Sequence, residues 1–136
     1  VAKVITDELQ KAQKSVHFMA FSFTDDAMGQ VLLDKAKDGK DIQGVFEKVG
    51  SGTKYSEYGK LKTAGLPVKV DGNKNVMHHK VFIIDEGTPH ATVVTGSFNF
   101  SDSAEKNNDE NIVIIRNPDI AKIYEEEYQR VYKQGQ

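Results

Sequence analysis

Met77-His78-His79-Lys80-Val81-Phe82-Ile83-Ile84-Asp85 decides how the rest of this chain is read. Val81 to Ile84 is an unbroken run of β-branched and aromatic residues, the composition of a buried strand. Side chains alternate across a strand, so residues i and i+2 share a face. An imidazole, His78, and an ammonium, Lys80, therefore project side by side at the mouth of an apolar strand, while His79 points to the other face. Lys80 to Asp85 reads as one strand and Thr92 to Thr95 as the next, joined by a turn through Glu86, Gly87, Thr88 and Pro89.

Upstream of that hairpin, helix and strand alternate. Val1, Val4, Ile5, Leu9 and Ala12 recur at helical spacing, which predicts a helix over residues 2–14. Val16 to Phe23 reads as a buried strand. Asp25 and Asp26 can cap a second helix with a face of Ala27, Met28, Val31, Leu32 and Ala36, ended by Gly39. Ile42 to Phe46 is a strand, Tyr55 to Thr63 a shorter helix stopped at Gly65, and Leu66 to Val70 a strand before the turn Asp71-Gly72-Asn73. Downstream, Asn111 to Ile115 is the last strand. Asn117 then caps a helix with Pro118 at its first position, where a missing amide hydrogen costs nothing. Ile120, Ile123, Tyr124, Tyr128 and Val131 are the expected inner face of that helix, and Glu125, Glu126 and Glu127 the outer one. The pattern predicts an α/β layered domain with a mixed central β-sheet flanked by helices, spanning residues 1–136 as one domain.

The composition sets bounds. Of 136 residues, 38% are hydrophobic and 28% charged, ordinary for a soluble globular domain. No apolar run is long enough to span a membrane. There is no cysteine, so thiolate nucleophiles and cysteine-ligated zinc are excluded, while the compartment stays open. The chain starts abruptly at Val1 with no visible signal peptide. It reads as an excised domain or processed chain, compatible with a soluble bacterial periplasmic or other extracytoplasmic location. Net charge is -2, but from Lys48 to Lys80 seven lysines face only Glu57 and Asp71. That segment could draw in a polyanion. A set of solvated surface lysines accounts for the same charge equally well.

Two further polar clusters follow the first. Gly96-Ser97-Phe98-Asn99 closes one strand, and Asn108-Asp109-Glu110-Asn111 opens the last. Three polar clusters at strand ends fit a site along a sheet edge. Their chemistry suits phosphoryl transfer. Lys80 and the Asn99 amide can neutralise the non-bridging oxygens of a phosphodiester. A neutral imidazole at His78 is a competent nucleophile at phosphorus. A carboxylate on its other nitrogen, for which Glu110 is the candidate, fixes the tautomer and steadies the imidazolium. Ser97 can donate to phosphate or to its own loop.

His78-x-Lys80-x4-Asp85 followed by Gly96-Ser97-x-Asn99 resembles the HKD signature of the phospholipase D superfamily. The continuation Asn99-Phe-Ser-x-x-Ala104-x3-Asn108-x-Glu110-Asn111 is similar to the small bacterial nuclease branch with one HKD motif per chain, as is Ala20-Phe21-Ser22-Phe23-Thr24 upstream. The resemblance covers nearly the whole chain. It implies a metal-independent phosphodiesterase with no cofactor, acting on DNA or RNA through a phosphohistidine. It also implies a homodimer in which two chains meet at the active-site face, each supplying His78, Lys80 and Asn99. Asp85 sits at a strand end, where it is expected to hold local backbone or a basic partner. Two departures stand out. Residues 86–95 make a longer spacer than the family usually has, and the strand that usually precedes the first helix is missing.

Other readings compete. A phospholipase acting on phosphatidyl head groups would use the same chemistry, and a nucleic-acid-binding module would have lost it. A metal site from His78, His79 and Asp85 is disfavoured because adjacent strand positions diverge. Ser97 lacks the Gly-x-Ser-x-Gly elbow of a serine nucleophile. His17 reads as a packed or edge histidine and His90 as a solvated turn residue. Phe98 and Phe100 read as core, and Tyr55 and Tyr58 could stack on single-stranded substrate.

Overall fold

The computed structural model describes residues 2–20, 26–46, 57–70, 80–96 and 112–135. In chain order these form α1 (Ala2–Gln10), β1 (Ser15–Ala20), α2 (Asp26–Lys37), β2 (Asp41–Phe46), α3 (Glu57–Thr63), β3 (Val68–Val70), β4 (Lys80–Ile84), β5 (Thr92–Gly96), β6 (Ile112–Ile115) and α4 (Pro118–Gln134). The strands make one mixed sheet in the order β3-β2-β1-β4-β5-β6. β1, β2 and β3 run parallel, and β4, β5 and β6 continue antiparallel from β1.

Strand alternation divides the core in two. Val16, Phe18 and Ala20 of β1 and Phe82 and Ile84 of β4 face Ile5, Leu9, Met28 and Leu32 of α1 and α2. Met19, Val45, Val81, Ile83 and Val93 face Ala121, Tyr128 and Val131 of α4. β1 is buried along its full length, as a central strand covered on both faces must be. Helix ends follow local chemistry. Gly39 and Gly65 take left-handed φ values of 86° and 88° after α2 and α3. That conformation lets Lys40 N–H reach back to the Lys35 carbonyl at 3.1 Å, and Leu66 N–H to Leu61 at 3.2 Å. Asn117 caps α4, its side-chain oxygen accepting from the amides of Asp119 and Ile120 at 2.9 and 3.3 Å. Arg116 grips Glu8 with two bonds of 2.8 and 3.0 Å, tying α1 to the end of β6. Those bonds from Arg116, outweighing burial, hold the Glu8 carboxyl below its ordinary range.

Two expectations need correction. α1 ends at Gln10, not at residue 14, because the amides of residues 13–15 are taken by Asp85 and cannot continue the helix. The α4 stripe is rotated from the one apolar counting gives. Ile123 is 64% exposed, whereas Glu125 is 9% exposed and points to the sheet. Glu125 goes inward because His17 on β1 offers it a hydrogen-bonding partner at 2.8 Å.

Gly44 on β2 lies directly beside Phe18 on β1. A Cβ there would meet the Phe18 ring at 2.3 Å, and that ring is itself packed on Phe46 and Phe82. Gly44→Ala is therefore expected to lower stability by about 1–3 kcal/mol, the usual cost of overpacking. Urea unfolding measures it, and an unchanged midpoint would mean the Phe18 ring has room to move.

Candidate active site

The register brings six strand ends into one row. Ala20 pairs with Phe46 on one side and with Lys80 on the other, and Phe46 pairs with Val70. Val81 pairs with Thr95, and Gly96 with Ile112. The C-terminal ends of β1, β2, β3 and β5 and the N-terminal ends of β4 and β6 thus lie along the same sheet edge. Lys80, Gly96 and Ile112 occupy three neighbouring strands, a span of about 10 Å at the usual inter-strand spacing. The chain carries His78 two residues before Lys80, Ser97 and Asn99 one and three residues after Gly96, and Glu110 two residues before Ile112. His78, His79, Ser97, Asn99 and Glu110 themselves lie outside the described residues, as do Tyr55, Phe98 and Phe100. Lys80 is the first residue of β4.

Asp85 is at the other end of β4, five residues and about 17 Å along the strand from Lys80. Its backbone is left-handed, with φ 56°. One carboxylate oxygen accepts from the amides of Gln13, Lys14 and Ser15 at 3.0, 2.6 and 3.1 Å, and the other from Gln13 at 3.1 Å. Its own N–H donates to the Ser15 carbonyl at 2.9 Å, and its carbonyl accepts from the Thr88 hydroxyl at 2.7 Å. Asp85 holds backbone, not a basic partner, and it does so away from the edge that carries Lys80. The last member of the His-x-Lys-x4-Asp pattern fixes where β1 and β4 begin and end.

The remaining sequence candidates divide. Tyr58 packs edge-on against Phe46 at 5.3 Å and lies partly buried against the core on the α1–α2 side. Lys69 of the lysine-rich segment reaches the Tyr132 carbonyl at 3.2 Å and lies 4.1 Å from that ring, so this cation is engaged with α4. His90 is exposed in the turn. Among the described residues no three His, Asp or Glu converge as metal ligands, and no helix is long and apolar enough to cross a membrane. Sequence reasoning missed the His17 cluster. Its Nε2 lies 2.8 Å from Asp41 and its Nδ1 2.8 Å from Glu125. The one available signal was a histidine inside a strand otherwise buried on both faces.

A mixed sheet with helices on both faces defines an α/β protein, and its polar signatures are joined in sequence to one row of strand ends. Comparison with known proteins narrows the class. The family described as "Cardiolipin synthase, PLD-like domain" matches residues 5–132. The chain therefore belongs to the phospholipase D-like phosphodiesterase superfamily. It is 30% identical over 122 residues to a phospholipase D of Rickettsia conorii, covering 90% of this chain and 59% of that protein. It is also 30% identical over 126 residues to the mitochondrial cardiolipin hydrolase of Xenopus tropicalis, covering 93% of this chain and 58% of that one. The chain thus spans less than two thirds of these relatives. Among solved structures, Nuc from Salmonella typhimurium, a phospholipase D family member, superposes with a TM-score of 0.88 at 32% identity, over 98% of this chain and 88% of that one. NucT from Helicobacter pylori shares the fold, with a TM-score of 0.85 at 23% identity over 98% and 87%.

Asp85→Ala leaves the amides of Gln13, Lys14 and Ser15 without their acceptor. Hydrogen bonds to a charged group contribute about 1.5–3 kcal/mol, so a loss of that order is expected in chemical denaturation. Stability within a few tenths of wild type would mean that water replaces the carboxylate.

Proposed function

We propose that the chain hydrolyses phosphodiester bonds of DNA or RNA without a metal, at a site to which two copies contribute. The observation that carries this reading is the single row of strand ends. Lys80, Gly96 and Ile112 stand on neighbouring strands at one edge, and the three polar signatures are joined to them. The lysine-rich segment and the resemblance to the one-motif nuclease branch favour a nucleic acid as the substrate.

In this mechanism His78 of one chain attacks phosphorus through a neutral ring nitrogen. The bond to the leaving ester oxygen breaks, and His78 of the second chain protonates that oxygen. Water then attacks the phosphohistidine, giving its proton to the second His78 as the phosphorus–nitrogen bond breaks and the first His78 is released. Lys80 and Asn99 from both chains neutralise the non-bridging oxygens, whose charge is largest in the transition state. Glu110 holds the imidazole in its reactive tautomer. Ser97 donates a hydrogen bond within its loop or to phosphate. One His78 must be neutral and the other protonated, so the pair titrates as a unit and activity against pH is bell-shaped.

A second reading has its own support. The Rickettsia relatives carry the name phospholipase D, and a lipid phosphodiester would undergo the same two displacements. One experiment separates the two: cleavage of single- and double-stranded DNA and RNA, and of phosphatidylcholine vesicles, all in excess EDTA. Nucleic acid is expected to be cut and the vesicles left intact. His78→Ala is expected to lower turnover by roughly 10⁴-fold or more with its fold unchanged by circular dichroism. Vesicle hydrolysis alone would transfer the assignment to lipid. Full activity of His78→Ala would remove His78 as nucleophile, and an active chain that sediments strictly as a monomer would remove the shared site.

A further inference from the structure

We propose that His17, clamped between Asp41 of β2 and Glu125 of α4, is a protonation latch: charged, it fastens α4 to the sheet, and on losing its proton it releases that contact. The inference is independent of what the reactive edge acts on.

The geometry assigns the charge. His17 Nδ1 lies 2.8 and 2.9 Å from the two oxygens of Glu125, and Nε2 lies 2.8 Å from Asp41 Oδ2. An ionised carboxylate only accepts, whereas a neutral imidazole has one N–H and one lone pair. With both carboxyls ionised, hydrogen bonds to both nitrogens are satisfied together only by the imidazolium. Removing its proton would set a nitrogen lone pair against a carboxylate oxygen in a buried setting.

Every element around His17 adds to this arrangement. α4 contributes Glu125, the Tyr128 ring stacked at 5.0 Å, and Gln129, which donates to Glu125 at 2.6 Å. β2 contributes Asp41 and Gln43. The Gln43 amide donates to Asp41 at 3.0 Å, and its oxygen accepts from the Tyr128 hydroxyl at 2.9 Å. β4 places apolar Ile83 opposite His17. Lys14, in the turn before β1, favours the charge on Asp41. Glu86, Lys122, Glu126, Arg130 and Lys133 line the groove that Glu125 shares, with both signs present. Imidazole is the side chain whose ordinary titration falls near neutrality, and His17 supplies it here. Burial pushes the Tyr128 phenol far above its usual range, so it stays protonated and donates.

The direction of the pH effect follows. Burial pulls His17 down, but its hydrogen bonds to Glu125 and then Asp41 outweigh burial and leave its pKa above the ordinary 6.5. A raised folded-state pKa contributes stability that is fully present below 6.5 and is lost as pH rises through the folded value. Asp41 behaves oppositely. Burial pushes it up, and the bond from His17, with that from Gln43, brings it below the ordinary 3.8. Its contribution is present above 3.8 and is lost as pH falls through the lowered value. The latch is closed between those limits, and its alkaline limit belongs to His17.

Nitrogen-resolved NMR of the imidazole rings in the wild-type chain tests this directly. At pH 7 both His17 nitrogens are expected to carry protons, with titration above 6.5. The thermal midpoint is expected to fall as pH is raised through that titration, between about pH 6 and 9. Glu125→Gln is expected to lower the His17 titration by about one pH unit, and His17→Phe to remove the pH slope while leaving the stack on Tyr128. A neutral, single-tautomer His17 at pH 7 would overturn the proposal. So would a thermal midpoint that stays flat across the His17 titration. If either variant fails to fold, the two wild-type measurements still decide.

Discussion

The antiparallel pairing of β4 with β1 is the constraint on which the rest of this molecule depends. β1, β2 and β3 run parallel, and a further parallel strand beside β1 would have begun at the opposite edge. Because β4 runs the other way, its first residue, Lys80, lies across from the last residue of β1, Ala20. The register has little freedom. A slip of one residue would turn Phe82 and Ile84 from the α1–α2 side to the α4 side and exchange them with Val81 and Ile83. Asp85 secures the pairing at the far end by binding the backbone through which the chain enters β1.

This explains why a pattern only eight residues long, His78 to Asp85, reaches from one end of β4 to the other. One end of β4 lies in the row of strand ends to which the polar signatures are joined in sequence. The other end holds a carboxylate that three backbone amides satisfy. A strand is a rigid spacer, so anchoring Asp85 sets the position of Lys80 along the sheet. The spacing between them is then a structural requirement. Adding or removing one residue would invert every side chain between the anchor and the edge.

Much of the fold was legible because its elements obey single-residue rules. Gly39 and Gly65 ended helices, Asn117-Pro118 began one, and an apolar run marked each of the six described strands; the expected end of the first at Phe23 lies outside the described residues. What sequence could not show was long-range satisfaction of polar groups. α1 stops early because of a carboxylate more than 70 residues away, and α4 is rotated because Glu125 finds His17 over a separation of 108 residues. Helical counting treats glutamate as outward and isoleucine as inward, and both rules failed where a buried cation competed. The candidate site was legible as residue types and spacing. The described strands add that the spacing leads to one edge, a fact of sheet order that no local pattern contains.

The α4 interface also shows what a buried charge contributes to a layered fold. Apolar contact between Ala121, Tyr128, Val131 and the sheet supplies the attraction but tolerates small rotations of the helix about its axis. An imidazolium between two carboxylates does not, since rotating Glu125 away leaves a buried cation short of a partner. Net stabilisation from such a pair is small, because desolvation offsets much of the Coulomb attraction. Its effect lies in selecting one orientation of α4 over its neighbours. That selection explains why exposing Ile123 is tolerated: the apolar surface left in water costs less than breaking the charged contact that fixes the helix.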